Sequence, residues 1–160
     1  MRKTISIFIS IIIAISVLSI IFINYRSDID AINNLKVNLN DVSINNINSI
    51  SFKLNFDIVI INPSDRDIID LSTDFKIYIE DNYVGEGNFS NVNIPHNSNK
   101  SKDVVITVYY DGLAEAVVDV IKKIINEGEF DLKIIGTVYA KALFGFSIME
   151  QNYTAAKTYQ

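Results

Sequence analysis

A single histidine, His96, lies in the turn-rich interval Ile94-Pro95-His96-Asn97-Ser98-Asn99-Lys100. Any Ser-His-Asp relay or His-ligated metal site would have to be assembled around it. No Gly-x-Ser-x-Gly signature accompanies it, so an exposed turn histidine is the simpler reading. Asp65, Asp67 and Asp70 form an acidic run whose oxygens suit calcium. That run has neither the Gly nor the terminal Glu of an EF-hand, and Arg66 neutralises part of it, so a solvated loop without metal is expected. Gly85-Glu86-Gly87 sits in a strand pair and opens no helix, unlike a phosphate loop. Nothing marks a carboxylate pair for glycoside hydrolysis. The absence of cysteine excludes disulfides, thiol catalysis, Cys-based metal sites and a lipidated cysteine anchor. No catalytic residue, metal or cofactor is assigned, and an enzyme is the least favoured class.

Three triplets match the Asn-x-Ser/Thr glycosylation pattern, beginning at Asn88, Asn99 and Asn152. They arise easily by chance in a chain this rich in Asn.

Fourteen basic and nineteen acidic residues give the chain a net charge of −5. Three of the basic residues, Arg2, Lys3 and Arg26, precede Asp28, and every acidic residue follows from there, so the rest of the chain carries −8. That sign argues against nucleic acid as a partner, because phosphates need Lys and Arg to displace counterions. It equally disfavours electrostatic docking on anionic headgroups.

The elements that must carry any function begin with an apolar stretch. Thr4 to Ile23 holds only Ser, Thr and Ala besides Ile, Phe, Val and Leu. As a helix it would reach roughly 30 Å, the thickness of a hydrocarbon core. A cleaved secretory signal has a shorter apolar region, about 7 to 15 residues, followed by a small-x-small site and a polar mature terminus. Here Ala14-Ile15-Ser16 is followed by more apolar residues, so an uncleaved anchor is expected. Arg2 and Lys3 favour a cytoplasmic N-terminus and an extracytoplasmic body, with Arg26 opposing.

After the anchor the period becomes two. Val37, Leu39, Val42 and Ile44 predict a first strand, and Phe52, Leu54, Phe56, Ile58 and Ile60 a second. Phe75 to Glu80 and Tyr83-Val84 predict a hairpin turning at Asp81-Asn82, and Val104, Ile106 and Val108 a fifth strand. Leu113, Ala116, Val117, Val120, Ile121 and Ile124 then fall on one stripe of an amphipathic helix, with Gly128 after its end. Phe130, Leu132, Ile134, Val138 and Ala140 resume a strand, and Phe144, Phe146 and Ile148 begin a last one. Short strands joined by tight turns, with one helix, imply a mainly β antiparallel β-sandwich preceded by a single transmembrane helix. The expected division is an anchor over 1–26, a short stalk over 27–34, the sandwich over 35–150 and a tail over 151–160.

Asn62-Pro63-Ser64 ends the second predicted strand. It is followed by Ile68, Ile69, Leu71, Phe75-Lys76-Ile77-Tyr78-Ile79, Asp81-Asn82, Val84-Gly85-Glu86-Gly87, Ile94-Pro95, the strand over Val104 to Val108, the helix, Gly128 and Phe130 to Gly136. In this order of parts the chain resembles the late embryogenesis abundant type 2 family, also called the water stress and hypersensitive response (WHy) domain, from Leu35 to about Ile148. Asp65-Arg66-Asp67 departs from the more neutral link expected there. The resemblance implies a sandwich like fibronectin type III or immunoglobulin domains, no catalytic residues, and a role in tolerance of desiccation and other water stress. Some relatives are membrane-anchored and have been proposed to hold lipid between helix and sheet. The physical role of Asn62 and Pro63 is strand termination, since Pro63 cannot donate to a ladder.

The first functional reading is therefore a non-enzymatic, membrane-anchored stress-response domain outside the cytoplasm. A second is lipid binding, with Leu113, Val117, Val120, Ile121 and Ile124 lining an apolar groove near the bilayer, although core packing is the simpler role for such a stripe. A cell-surface structural or adhesion module is the third.

Overall fold

In the computed structural model, which describes residues 2–142 and 145–159, seven antiparallel strands form two facing sheets. Strands β1 (Lys36–Asn45), β2 (Ser51–Asn62) and β5 (Ser98–Tyr109) make the first, in the order β1-β2-β5. The second is ordered β4-β3-β6-β7, from β3 (Ile68–Ile79), β4 (Asn82–Ile94), β6 (Phe130–Ala142) and β7 (Ser147–Tyr159). Helix α1 (Arg2–Asn33) leads into β1, and α2 (Glu115–Glu127) connects β5 to β6. This is the antiparallel sandwich that the period-two pattern predicts.

The core follows directly from that alternation. Phe52, Leu54, Phe56, Ile58 and Ile60 are buried together from β2, facing Phe75, Ile77, Ile79, Leu132 and Ile134 of the other sheet. Phe56 and Phe75 meet edge to face across the interior, with ring centroids 6.4 Å apart. Leu39 and Val42 are both buried although three residues apart. A bulge between Asn40 and Ser43, with Asp41 at φ 46°, absorbs the extra residue and keeps both side chains inward. Phe75 sits in register between Gly87 of β4 and Gly136 of β6. A Cβ on Gly136 would lie 2.6 Å from the Asp74 carbonyl oxygen and 2.8 Å from the Tyr153 hydroxyl, so only glycine fits beneath these neighbours.

Three boundaries differ from expectation. Residues 27–34, expected as a stalk, continue α1 to Asn33, and Ala31 and Ile32 enter the core. Tyr25, Asp28, Ile29 and Ile32 are spaced at i, i+3, i+4 and i+7, a helical stripe partly masked by its aspartates. Residues 151–160, expected as a tail, contribute the greater part of β7, paired with β6 as far as Tyr159 opposite Phe130. These residues are polar on the outer face, so backbone pairing and the Tyr159–Phe130 ring contact at 5.0 Å hold the edge. The last strand also faces the other way. Phe144 lies outside the described residues, Phe146 precedes β7, and Ile148 points outward, while Met149, Tyr153 and Ala155 pack inward.

The register places the two helices at opposite ends of the sandwich. Asn62, Ser98, Lys36 and Ala142 lie at the end where α1 enters, and Ser51, Tyr109, Phe130 and Tyr159 at the other. Helix α2 closes that far end. Gly128 stops it in the left-handed conformation at φ 78°, donating its N–H to the Ile124 carbonyl at 2.7 Å. Ile121 and Ile124 are buried in the core, whereas Leu113, Val117 and Val120 pack half-buried against it. The stripe thus lies at the end of the strands remote from α1. Truncating Ile121 to Ala should cost about 2–5 kcal/mol in a thermal melt and Val117→Ala a fraction of that, as expected for core rather than groove residues.

Candidate functional site

The end of the sandwich at α1 is assembled from three connections. These are the β2–β3 loop over 63–67, the β4–β5 turn over 95–97, and the β6–β7 turn. At their centre is Asn62, the last residue of β2 and fully buried. Its Nδ2 donates to the carbonyls of Arg66 at 2.7 Å, Pro95 at 3.1 Å and Ile94 at 3.3 Å. Its Oδ1 accepts from the Ser64 backbone N–H at 3.1 Å and from the Ser64 hydroxyl at 2.6 Å. Pro63, which lacks an N–H, ends the ladder, and the Asn62 amide then replaces the ladder as partner for the polar backbone of two connections. The Ser64 carbonyl in turn accepts from Asn97 N–H at 2.9 Å.

From this buried amide the contacts lead outward to α1. Arg66 directs Nη2 and Nε onto one carboxylate oxygen of Asp28 in α1, at 2.8 and 3.1 Å. Nearby, Tyr25 Oη lies 4.0 Å from Met149 Sδ, and Gln151 Nε2 donates to the Asn33 carbonyl at 3.0 Å. Within α1, the Ser16 and Ser19 hydroxyls donate to the carbonyls of Ile12 and Ile15, each at 2.9 Å.

Between α1, the β2–β3 loop and the β6–β7 turn lies an open crevice of about 800 Å³. Ala31, Ile32, Ile68 and Ile69 give it an apolar part, and Arg66, His96 and Lys141 line it beside Asp28, Asp65 and Asp67. Two cations are matched, Arg66 to Asp28 and Lys141 to Asp70, and His96 meets Asp67, whose Oδ1 lies 2.8 Å from both the His96 backbone nitrogen and Nδ1. The hydrogen bond from the His96 backbone, reinforced by its ring and by Arg66, holds the Asp67 carboxyl below the usual carboxylate range. Among the described residues, the His96 ring is hydrogen-bonded to the Asp67 carboxylate. Among the described residues there is also no group of three His, Asp or Glu poised for a metal. The arrangement orders loops and pairs charge.

The other residues marked in the sequence are dispersed. Asn88, Asn99 and Asn152 are exposed on β4, β5 and β7, and Asn152 Oδ1 accepts from Thr137 Oγ1 at 2.7 Å. An electrostatic feature invisible to sequence spacing occupies the outer face of the first sheet, where Asp57 is in register with Asp103. Desolvation, then hydrogen bonding and repulsion from Asp103, with a further contribution from Asp41, raise the Asp57 carboxyl above its ordinary range.

No protein-family model matches this sequence, and no curated protein matches it. Solved structures do match its fold. The solution structure of AT1g01470 from Arabidopsis thaliana superposes with a TM-score of 0.58 at 12% identity, over 76% of this chain and 78% of that one. A second solution structure, of At2g46140.1, provisionally described as a late embryogenesis abundant (LEA) protein, gives a TM-score of 0.52 at 11% identity, over 91% of this chain and 83% of that one. The fold is shared with an LEA-like protein. At these identities the likeness carries architecture alone.

Asn62→Ala should remove the amide donor from the buried Ile94 carbonyl and from the Arg66 and Pro95 carbonyls, which keep the Ser64 and Ser98 hydroxyls, and lower unfolding free energy by about 1–3 kcal/mol. Arg66→Ala, at a group 36% exposed, should cost less than about 1 kcal/mol, both read in denaturant melts. Asp103→Asn should raise the melting temperature at neutral pH. A raised Asp57 pKa means that its ionised form weighs against the fold above the carboxylate range and that the penalty fades on acidification, so the gain should vanish in acid.

Proposed function

We propose that this chain is a single-pass membrane protein whose sandwich stands outside the cytoplasm and acts, without catalysis, as a protective domain of the LEA type 2 or WHy kind during water stress. The observation that carries this reading is the continuity of α1. One helix runs from the apolar span into the core, where Ala31 and Ile32 are buried, and Arg66 ties it to the Asn-Pro loop. The segment is long and apolar enough to cross a membrane. Removal of a signal would have to spare the very next helical turns, which favours an uncleaved anchor. Arg2 and Lys3 before the span favour a cytoplasmic N-terminus.

Protection is supported by the shared fold, by the Asn62-Pro63 arrangement and by the acidic balance of the body, which keeps a domain soluble and hydrated as water is lost. Full-length protein expressed in bacteria should pellet with membranes through a salt wash, retain its N-terminal residues, and lose its sandwich to protease added outside intact spheroplasts. Vesicles carrying it should preserve more activity of an added labile enzyme through drying and rehydration than vesicles carrying the span alone. Soluble, trimmed protein would remove the anchor from this reading. Equal enzyme losses in both vesicle types would remove the protective role.

A further inference from the structure

Among the described residues outside α1, Phe146 is the most exposed large apolar side chain, at 87%. It belongs to the β6–β7 turn, and it is not isolated. Ile148, 69% exposed, follows at the outer start of β7 in register with Lys141, and Ile69, 58% exposed, shares the crevice wall with Lys141 and Gly145. Single exposed apolar residues are ordinary, and Ile47, Ile50 and Tyr109 are exposed toward the remote end; what sets this group apart is its place beside α1.

Asn33 of α1 meets Gln151 of β7, and Tyr25 meets Met149. Moving toward the N-terminus of α1 therefore runs toward the β6–β7 turn. The last apolar residue of the span, Ile23, precedes Tyr25 by two, and Phe146 precedes Met149 by three. Gly145 of the turn lines the crevice together with Asp28, so the turn lies beside Tyr25 to Asp28, the stretch of α1 that follows the apolar span.

We propose that the β6–β7 turn is a second membrane contact, inserting Phe146 with Ile148 and Ile69 into the interfacial layer of the bilayer that α1 crosses. Aromatic and large aliphatic side chains are favoured at that depth. Of the charges near the turn, Lys141 is paired with Asp70 and Arg66 with Asp28. The contact is apolar rather than electrostatic, since the body of the protein carries a net negative charge. With both α1 and the turn engaged, the sandwich has a fixed face toward the membrane.

This inference rests on the anchoring reading above, and one experiment separates the two. The chain has no tryptophan, so Phe22→Trp, Phe146→Trp and Tyr109→Trp each create a single reporter: in the span, at the turn and at the remote end. Each full-length variant is placed in phosphatidylcholine vesicles with and without brominated acyl chains. Phe146→Trp and Phe22→Trp should both show blue-shifted emission that bromine quenches and salt does not restore, while Tyr109→Trp stays red and unquenched. Quenching at Phe22→Trp with none at Phe146→Trp would overturn the second contact and leave the anchor. A blue shift without quenching at Phe146→Trp would likewise overturn it, assigning the turn to a protein partner. No quenching at Phe22→Trp would overturn the anchor itself, and the turn contact with it. Because Phe146 is exposed, its variant should melt as the parent does.

Discussion

The structure depends on one buried amide. Where β2 leaves the first sheet for the second, Pro63 ends the hydrogen-bond ladder, and the carbonyls of Arg66, Ile94 and Pro95 lose the sheet as a source of donors. In a fold of two sheets every crossing creates this problem, because buried carbonyls without partners cost as much as lost hydrogen bonds. Asn62 answers it with a side chain that both donates and accepts. Its carbonyl fixes Ser64, its amino group fixes the far loop, and the geometry that results places Arg66 against Asp28 of α1. A carboxylate at this position could accept but not donate, and an aliphatic side chain could do neither.

Around that joint, the sandwich is closed by helices rather than by covalent links. With no cysteine available, the gap between the sheets is sealed at one end by Ala31 and Ile32 of α1 and at the other by Ile121 and Ile124 of α2. The side edges come together where β1 lies near β7 and β4 near β5. Stability therefore comes from apolar burial along the whole length of the strands, and the helices are parts of the core rather than additions to it.

The strongly alternating strands were legible in the sequence because their burial is one-sided: Phe52 to Ile60 could face only a core. The helix α2 and its Gly128 stop were legible for the same reason, since only a 3.6 period fits the spacing. The misread segments are those whose partners are distant. Residues 151–159 carry few apolar side chains and become a strand through pairing with β6, which no local pattern reports. The helical continuation over 27–33 is hidden by aspartates, one of which is there to meet Arg66 from another loop. Phe146 and Ile148 keep the alternation of a core strand but are exposed, because pairing with β6, not hydrophobicity, sets the register of β7. Of the site, Asn62 and Pro63 could be singled out beforehand. That the Asn62 amide would reach Ile94 and Pro95 could not, because more than thirty residues separate them.

The unbroken α1 also sets a working range. A flexible tether would let the sandwich sweep a hemisphere and meet partners far from its base. A helix that ends inside the core transmits the tilt of its span to the whole body, with no joint to absorb it. With the span in a bilayer, strands of 12 or 13 residues carry the sandwich no more than about 40 Å from the surface. On the proposed anchoring, whatever this protein acts on must come to that thin layer, and crowding the membrane with copies would coat it evenly rather than reach beyond it.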